Sequence, residues 1–233
     1  MKININGYII PNEYKRVYDW FGMDSCCPND IKAARLKSVN EPLEITIGTC
    51  YGGSIFAGSE IGSEIASHTP GSTGQIMGLA ASAASVLAMY IKHLSMAPTA
   101  MMMVHNVSSY ADGDYHVMDK EKTILINCNK AMAAAYTLKS GITEDETLKM
   151  MDKETWLTAQ QAKERGLVNE ILFENLDPTQ MVAAVGPGMI PKAVIEKTLA
   201  MLDEKKDPVK SIKDTKKFDL AKAKLNLIEK TMF

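Results

Sequence analysis

The chain has 233 residues, 46% hydrophobic and 23% charged, enough for one domain of ordinary size with a real core, plus an extension. Its net charge of −2 leaves no electrostatic footprint for nucleic acid. Cys26, Cys27, Cys50 and Cys128 lack zinc-site spacing, and the four histidines are scattered. No metal or other cofactor is therefore expected, and the cysteine usage points to a reducing, cytoplasmic setting.

The opening residues, MKININGYII, alternate apolar and polar, which suits a first strand over residues 2–9 better than a signal-peptide core. Pro28-Asn29-Asp30 offers a cap for a helix over 31–39, and 43–47 reads as a short strand running into Gly52-Gly53. Residues 54–66 carry Ile55, Phe56, Ile61 and Ile65 in a helical rhythm. A strand over 74–78 leads to a turn before Ser82, with a buried helix over 82–93 and another strand over 99–105. Residues 76–90 are too short and too rich in small residues to span a bilayer, so no membrane partner is expected. Strands alternating with helices predict an α/β fold with a largely parallel sheet.

Further on, 119–138 is helix-compatible and Gly141 stops it. The acidic run from Thr143 opens another helix. Thr158 and Gln161 match a capping box before a helix ending at Gly166, and 167–172 reads as a last strand. Composition shifts after Asp177. From 191 to 233 there are 11 Lys, no Arg and 7 acidic residues, with two amphipathic stretches. The division expected is a domain over 1–173 and a linker with a basic, partly helical extension over 174–233. Sixteen methionines read as adaptable core and interface filler.

Chemistry concentrates at three places. Gly52-Gly53 taken alone is a tight turn, Ser82 alone a packing residue among alanines, and His105 alone a core histidine. Their order is more telling. Gly53 lies 29 residues before Ser82 and His105 lies 23 after it, so each gap holds about one helix and one strand and all three fall at one sheet edge. A serine hydroxyl needs a base to become a nucleophile, and His is the usual base near neutral pH. The amides of Gly53 and Ala83 then face the place where an oxyanion would form. Ser85, nearly a turn deeper, reads as structural.

With these residues in place the chain resembles the Clp-type serine peptidases. The resemblance is carried by Tyr51-Gly52-Gly53-Ser54 with Ala57-Gly58, by Gly78-Leu79-Ala80-Ala81-Ser82-Ala83, by Met103-Val104-His105-Asn106, and by Glu154-Thr155-Trp156-Leu157-Thr158-Ala159 with Gly166-Leu167-Val168. More narrowly it is similar to the ClpP-related head maturation (prohead) proteases of tailed bacteriophages, through Tyr18-Asp19-Trp20-Phe21-Gly22, Phe56-Ala57-Gly58-Ser59 and the Met-rich run into His105. The resemblance implies a Clp/crotonase-like spiral of ββα units with a protruding helix and a charged helical C-terminal tail. It implies Ser82 as nucleophile, His105 as general base and acid, and Gly53 and Ala83 as the oxyanion hole. The acid position, usually Asp, is Glu154 here, with Asp152 as its competitor. Cys50-Tyr51 stands where the family commonly has Ser-Pro. Stacked rings of this chain are implied, acting on peptides or proteins through an acyl-enzyme. In a phage, scaffold or capsid proteins would be cut inside the procapsid or host cytoplasm; a cellular Clp peptidase would receive chains from an ATPase. The strand starting within a few residues of Met1 leaves no long axial segment to meet such an ATPase. A crotonase-like acyl-CoA enzyme and an inactive ring-forming assembly factor are the rival readings.

Overall fold

The alternation at the start of the chain buries Ile3, Ile5 and Ile9 on one face of a strand. In the computed structural model, which describes residues 1–174, this strand is β1 (Lys2–Ile9). A short 3-10 turn, Asn12–Tyr14, leads into helix α1 (Lys15–Phe21) and the two-residue β2 (Ser25–Cys26). Helix α2 (Pro28–Lys37) follows, then β3 (Leu43–Gly53), α3 (Ile55–Ala66) and β4 (Ser72–Ala81). β1, β3 and β4 lie side by side and parallel, with Ile5 opposite Ile47 and Ile47 opposite Ile76. All three isoleucines are fully buried and form the centre of the core.

β4 is long enough to pair twice along one edge. Its first half, Thr73–Ile76, is parallel to β5 (His93–Met96), and its second half, Leu79–Ala81, is parallel to β6 (Met101–Met103 of Met101–Val104). A turn over 97–100 separates the two partners, held by the Ala97 N–H donating to the Ile76 carbonyl at 2.8 Å. The sheet therefore forks at β4. One branch continues through β5 to β8 (Glu170–Ile171); the other continues through β6 to an antiparallel β7 (Thr155–Thr158). The fork ends β3, β4 and β6 near each other.

Helices cover the buried side. α3 buries Ala57, Gly58, Ile61, Gly62 and Ile65, a stripe at helical spacing. Two of these are glycines because their neighbours leave no room: a Cβ on Gly62 would lie 2.4 Å from the Tyr90 ring. The short α4 (Ala83–Ala88) is buried along its whole length. Helix α5 (Tyr115–Ser140) runs 26 residues yet buries only Met132, Ala133, Ala135 and Tyr136. Its first half therefore carries Val117, Met118, Ile124 and Ile126 exposed. α6 (Glu144–Asp152) and α7 (Ala159–Glu164) each open with a capping box, Thr143 with Glu146 and Thr158 with Gln161.

The mixed α/β architecture with its mainly parallel sheet is the one expected. Several boundaries differ. The helix expected over 82–93 stops at Ala88, because the chain must turn to deliver His93 into β5. The last strand shrinks from 167–172 to two residues. α1, β2, β5 and β7 have no counterpart in the sequence reading, being too short for periodicity to register. The extension over 174–233 lies outside the described residues, all but Glu174.

Burial raises the Cys26, Cys27 and Cys50 thiols above their ordinary value, which keeps them protonated, whereas Cys128 on α5 is partly exposed. A thiol-disulfide reagent at neutral pH should modify one cysteine per folded chain, Cys128, and reach the other three only on denaturation. Peptide mapping of the labelled protein checks this.

Candidate active site

The forked sheet delivers three chain segments to one edge. Ala81 is the last β4 residue, and its partner on β6 is Met103. One residue beyond, the Ser82 N–H donates to the Met103 carbonyl at 3.0 Å. Ser82 must then turn the chain from strand to helix at once, and does so at φ 55°, ψ −126°. For a residue with a Cβ that conformation costs about 1–3 kcal/mol and persists only where the surroundings over-determine it. The turn carries the hydroxyl to the sheet edge, the geometry of a sharp strand-to-helix elbow. Two residues after Met103, His105 leaves β6, and its Nε2 lies 2.8 Å from Ser82 Oγ. With the serine donating, Nε2 is unprotonated and the imidazole proton sits on Nδ1.

Gly52 and Gly53 close the third side. A Cβ on Gly52 (φ 87°) would lie 2.6 Å from both the Ala81 carbonyl and Ser82 Cβ, and 2.9 Å from the Ala83 nitrogen. Only a glycine lets β3 pass that close to the Ser82 turn. Gly53 (φ 138°) meets the Ile9 carbonyl in the same way. The Ala83 amide opens α4 and so has no acceptor within its helix. Gly53, Ser82, Ala83 and His105 line one cavity of about 220 Å³, walled by Ile55, Val86, Val107, Met132 and Tyr136. A hydroxyl paired to an imidazole, beside a helix-opening amide in a partly apolar cleft, is equipped for acyl transfer.

The Clp protease family profile matches residues 31–175, more than half of the chain. The chain belongs to the Clp protease family. Among curated relatives, the ATP-dependent Clp protease proteolytic subunit 1 of Chlamydia abortus is 28% identical over 142 residues, covering 59% of this chain and 73% of that protein. The Chlamydia caviae protein of the same name is 29% identical over 142 residues, covering 59% and 74%. Membership makes the chain a serine peptidase of the ClpP kind. α1 and β2 precede the matched segment.

The two candidate acids are placed differently from the other site residues. β6 and β7 are antiparallel, with Val104 opposite Thr155, so extending the ladder by one residue sets His105 across from Glu154. Glu154 breaks the ladder with a left-handed φ of 47°, and its carboxylate accepts a hydrogen bond from the Trp156 indole N–H at 3.3 Å. Asp152 accepts from the Asn106 side-chain amide at 2.7 Å. Among the described residues no hydrogen bond joins either carboxylate to His105, so the acid–imidazole contact expected of Glu154 is not made in this arrangement. The cause is local: the long glutamate side chain, at an exposed turn, lies along its own strand to the indole two residues on.

Ser85 is fully buried and outside the cavity, as its depth in the helix implies. Its hydroxyl lies 2.7 Å from the Ser82 carbonyl, 2.8 Å from the Met103 carbonyl and 2.8 Å from the Tyr136 hydroxyl. Sequence reasoning missed Tyr136, which stands 51 residues from Ser85 on another helix; no local pattern links the two. Asn106 was likewise seen only as part of a motif.

Gly52→Ala tests the closeness of β3 to the nucleophile turn. The added methyl has no flexible neighbour to displace, and φ 87° adds strain. Labelling of Ser82 by a fluorophosphonate should fall at least about tenfold in the folded variant, a loss of about 1.4 kcal/mol of transition-state stabilisation or more, measured by stopped-time labelling and intact mass.

Proposed function

We propose that this chain is a serine endopeptidase that cleaves peptide bonds through an acyl-enzyme, with Ser82 as nucleophile and His105 as general base and acid. The observation that carries this reading is the 2.8 Å hydrogen bond between Ser82 Oγ and His105 Nε2 at the strained end of β4. In the proposed reaction Ser82 Oγ attacks the scissile carbonyl while its proton passes to Nε2. The Gly53 and Ala83 N–H groups receive the oxyanion. Nε2 then gives the proton to the departing amine, and water repeats the sequence in reverse on the ester.

Glu154 completes the triad in this reading by rotating its carboxylate from Trp156 to the Nδ1 side of His105. Support comes from its register position across from His105 and from the motif Glu154-Thr155-Trp156-Leu157-Thr158. A carboxylate there holds the tautomer and stabilises the imidazolium formed during attack.

The family resemblance supports stacked rings, and so does the row of exposed apolar residues on α5. The narrower role proposed is maturation of a phage head, with scaffold or capsid segments as substrates; its support is Tyr18-Asp19-Trp20-Phe21-Gly22, which falls before the family-matched residues. The names of the two chlamydial relatives favour a second reading, a cellular subunit that an ATPase feeds. Portal and major capsid genes beside this one support the first; a neighbouring Clp ATPase gene supports the second. Among the described residues no helix is long and apolar enough to cross a membrane.

Ser82→Ala should abolish fluorophosphonate labelling and peptide cleavage in a protein that still folds, since it removes one hydroxyl beside other alanines. Labelling that persists in the variant refutes the nucleophile assignment. Glu154→Gln should lower turnover by up to about 10⁴, equivalent to about 5 kcal/mol. Asp152→Asn should stay within roughly tenfold of wild type, because its carboxylate serves Asn106 and reaches His105 only as a screened field. The opposite ranking would move the acid to Asp152. Light scattering should give a multiple of the 25.6 kDa chain mass; a stable monomer at micromolar concentration refutes the ring.

A further inference from the structure

The Ser85 hydroxyl has one proton and three oxygen neighbours. Two of these are carbonyls, which only accept, so Ser85 donates toward Ser82 and Met103 and must accept from the Tyr136 hydroxyl. Burial raises the Tyr136 phenol well above its ordinary value, which keeps it a donor throughout the working pH range. Three separate elements meet at this point: the nucleophile turn, the strand β6 that carries the base, and the buried end of α5.

Backbone satisfaction does not require this arrangement. The Ser82 carbonyl already accepts from the Ser85 N–H at 2.9 Å and the Val86 N–H at 3.1 Å, and the Met103 carbonyl already accepts from the Ser82 N–H at 3.0 Å. Ala at 85 with Phe at 136 would fill nearly the same space with no polar group to bury. Two hydroxyls are nonetheless placed in the core, where each costs stability unless paired. Their effect is geometric. One carbonyl belongs to the strained nucleophile residue and the other lies two residues before His105, so the hydroxyl pins both halves of the catalytic pair to one point.

We propose that Ser85 and Tyr136 are positioning residues for the reaction: their hydrogen bonds hold the Ser82 turn and the strand carrying His105 at the separation that proton transfer requires. The proposal rests on the functional reading above. It predicts an effect mainly on the chemical step: Ser85 lies outside the cavity, and although Tyr136 forms part of the cavity wall, Tyr136→Phe keeps the ring there and removes only the hydroxyl bonded to Ser85. A displacement of about 1 Å between reacting groups costs on the order of a hundredfold in rate.

The experiment compares wild-type full-length chain with Tyr136→Phe, Ser85→Ala and the double variant. Each is measured for peptide turnover and for the rate constant of fluorophosphonate acylation, well below its melting temperature. The double variant leaves no orphaned hydroxyl and is the cleanest form. Its kcat and acylation rate should fall between about tenfold and a hundredfold, with KM within twofold and a melting temperature close to wild type. Wild-type kcat in the double variant, or a change confined to KM, overturns the proposal. If the double variant does not fold, Tyr136→Phe decides alone, since it keeps the ring: a lowered kcat supports the proposal and an unchanged kcat overturns it. Failure of the functional reading shows itself separately, as wild-type protein that does not label at Ser82.

Discussion

The passage of the Gly52 backbone against the turn at Ser82 is the constraint on which the site depends. It sets β3 tight against the end of β4, with room for hydrogen atoms only at the contact. From that closeness come the strained serine and the convergence of Gly53 and Ala83 on the cavity that Ser82 and His105 line. Small residues over 78–85 serve the same packing. A Cβ on Gly78 would lie 2.8 Å from the Thr49 hydroxyl, and Ala83 Cβ sits 3.1 Å from the place a Cβ on Gly58 would take. Ser82 is held less by its own bonds than by the absence of side chains around it.

The fork of the sheet supplies the other half. A single partner running the full length of β4 would carry its chain past Ser82 at a level set by the loop before it. Two short partners in succession, β5 and then β6, restart the register after the turn over 97–100. Met103 thus reaches Ala81, and His105 emerges beside the serine. Ser85 joins the two through their carbonyls and ties both to α5. The site is a crossing point of four segments, the ends of β3, β4 and β6 and the buried part of α5.

The candidate acid is placed otherwise. Glu154 occupies a left-handed turn residue at the rim, and its side chain reaches the Trp156 indole. An exposed carboxylate on water's side of the ladder has little to fix its rotamer, whereas Ser82 and His105 have the core beneath them.

Much of this was legible in the sequence for local reasons. Alternation in residues 2–9, the helical stripe of α3, and the capping boxes at Thr143 and Thr158 are written within a few residues of where they act. The same holds for glycines before a helix, a serine among alanines and a histidine at the end of an apolar run, because backbone crowding selects small residues at the point of contact. Tertiary structure alone decided what depends on pairing between distant segments. It ended the helix expected over 82–93 at Ala88 and began β5 at His93, brought Tyr136 to Ser85, paired Asp152 with Asn106, and turned Glu154 toward Trp156. These contacts are set by register and by the side chains of other elements. A residue's neighbours in the chain carry no record of them.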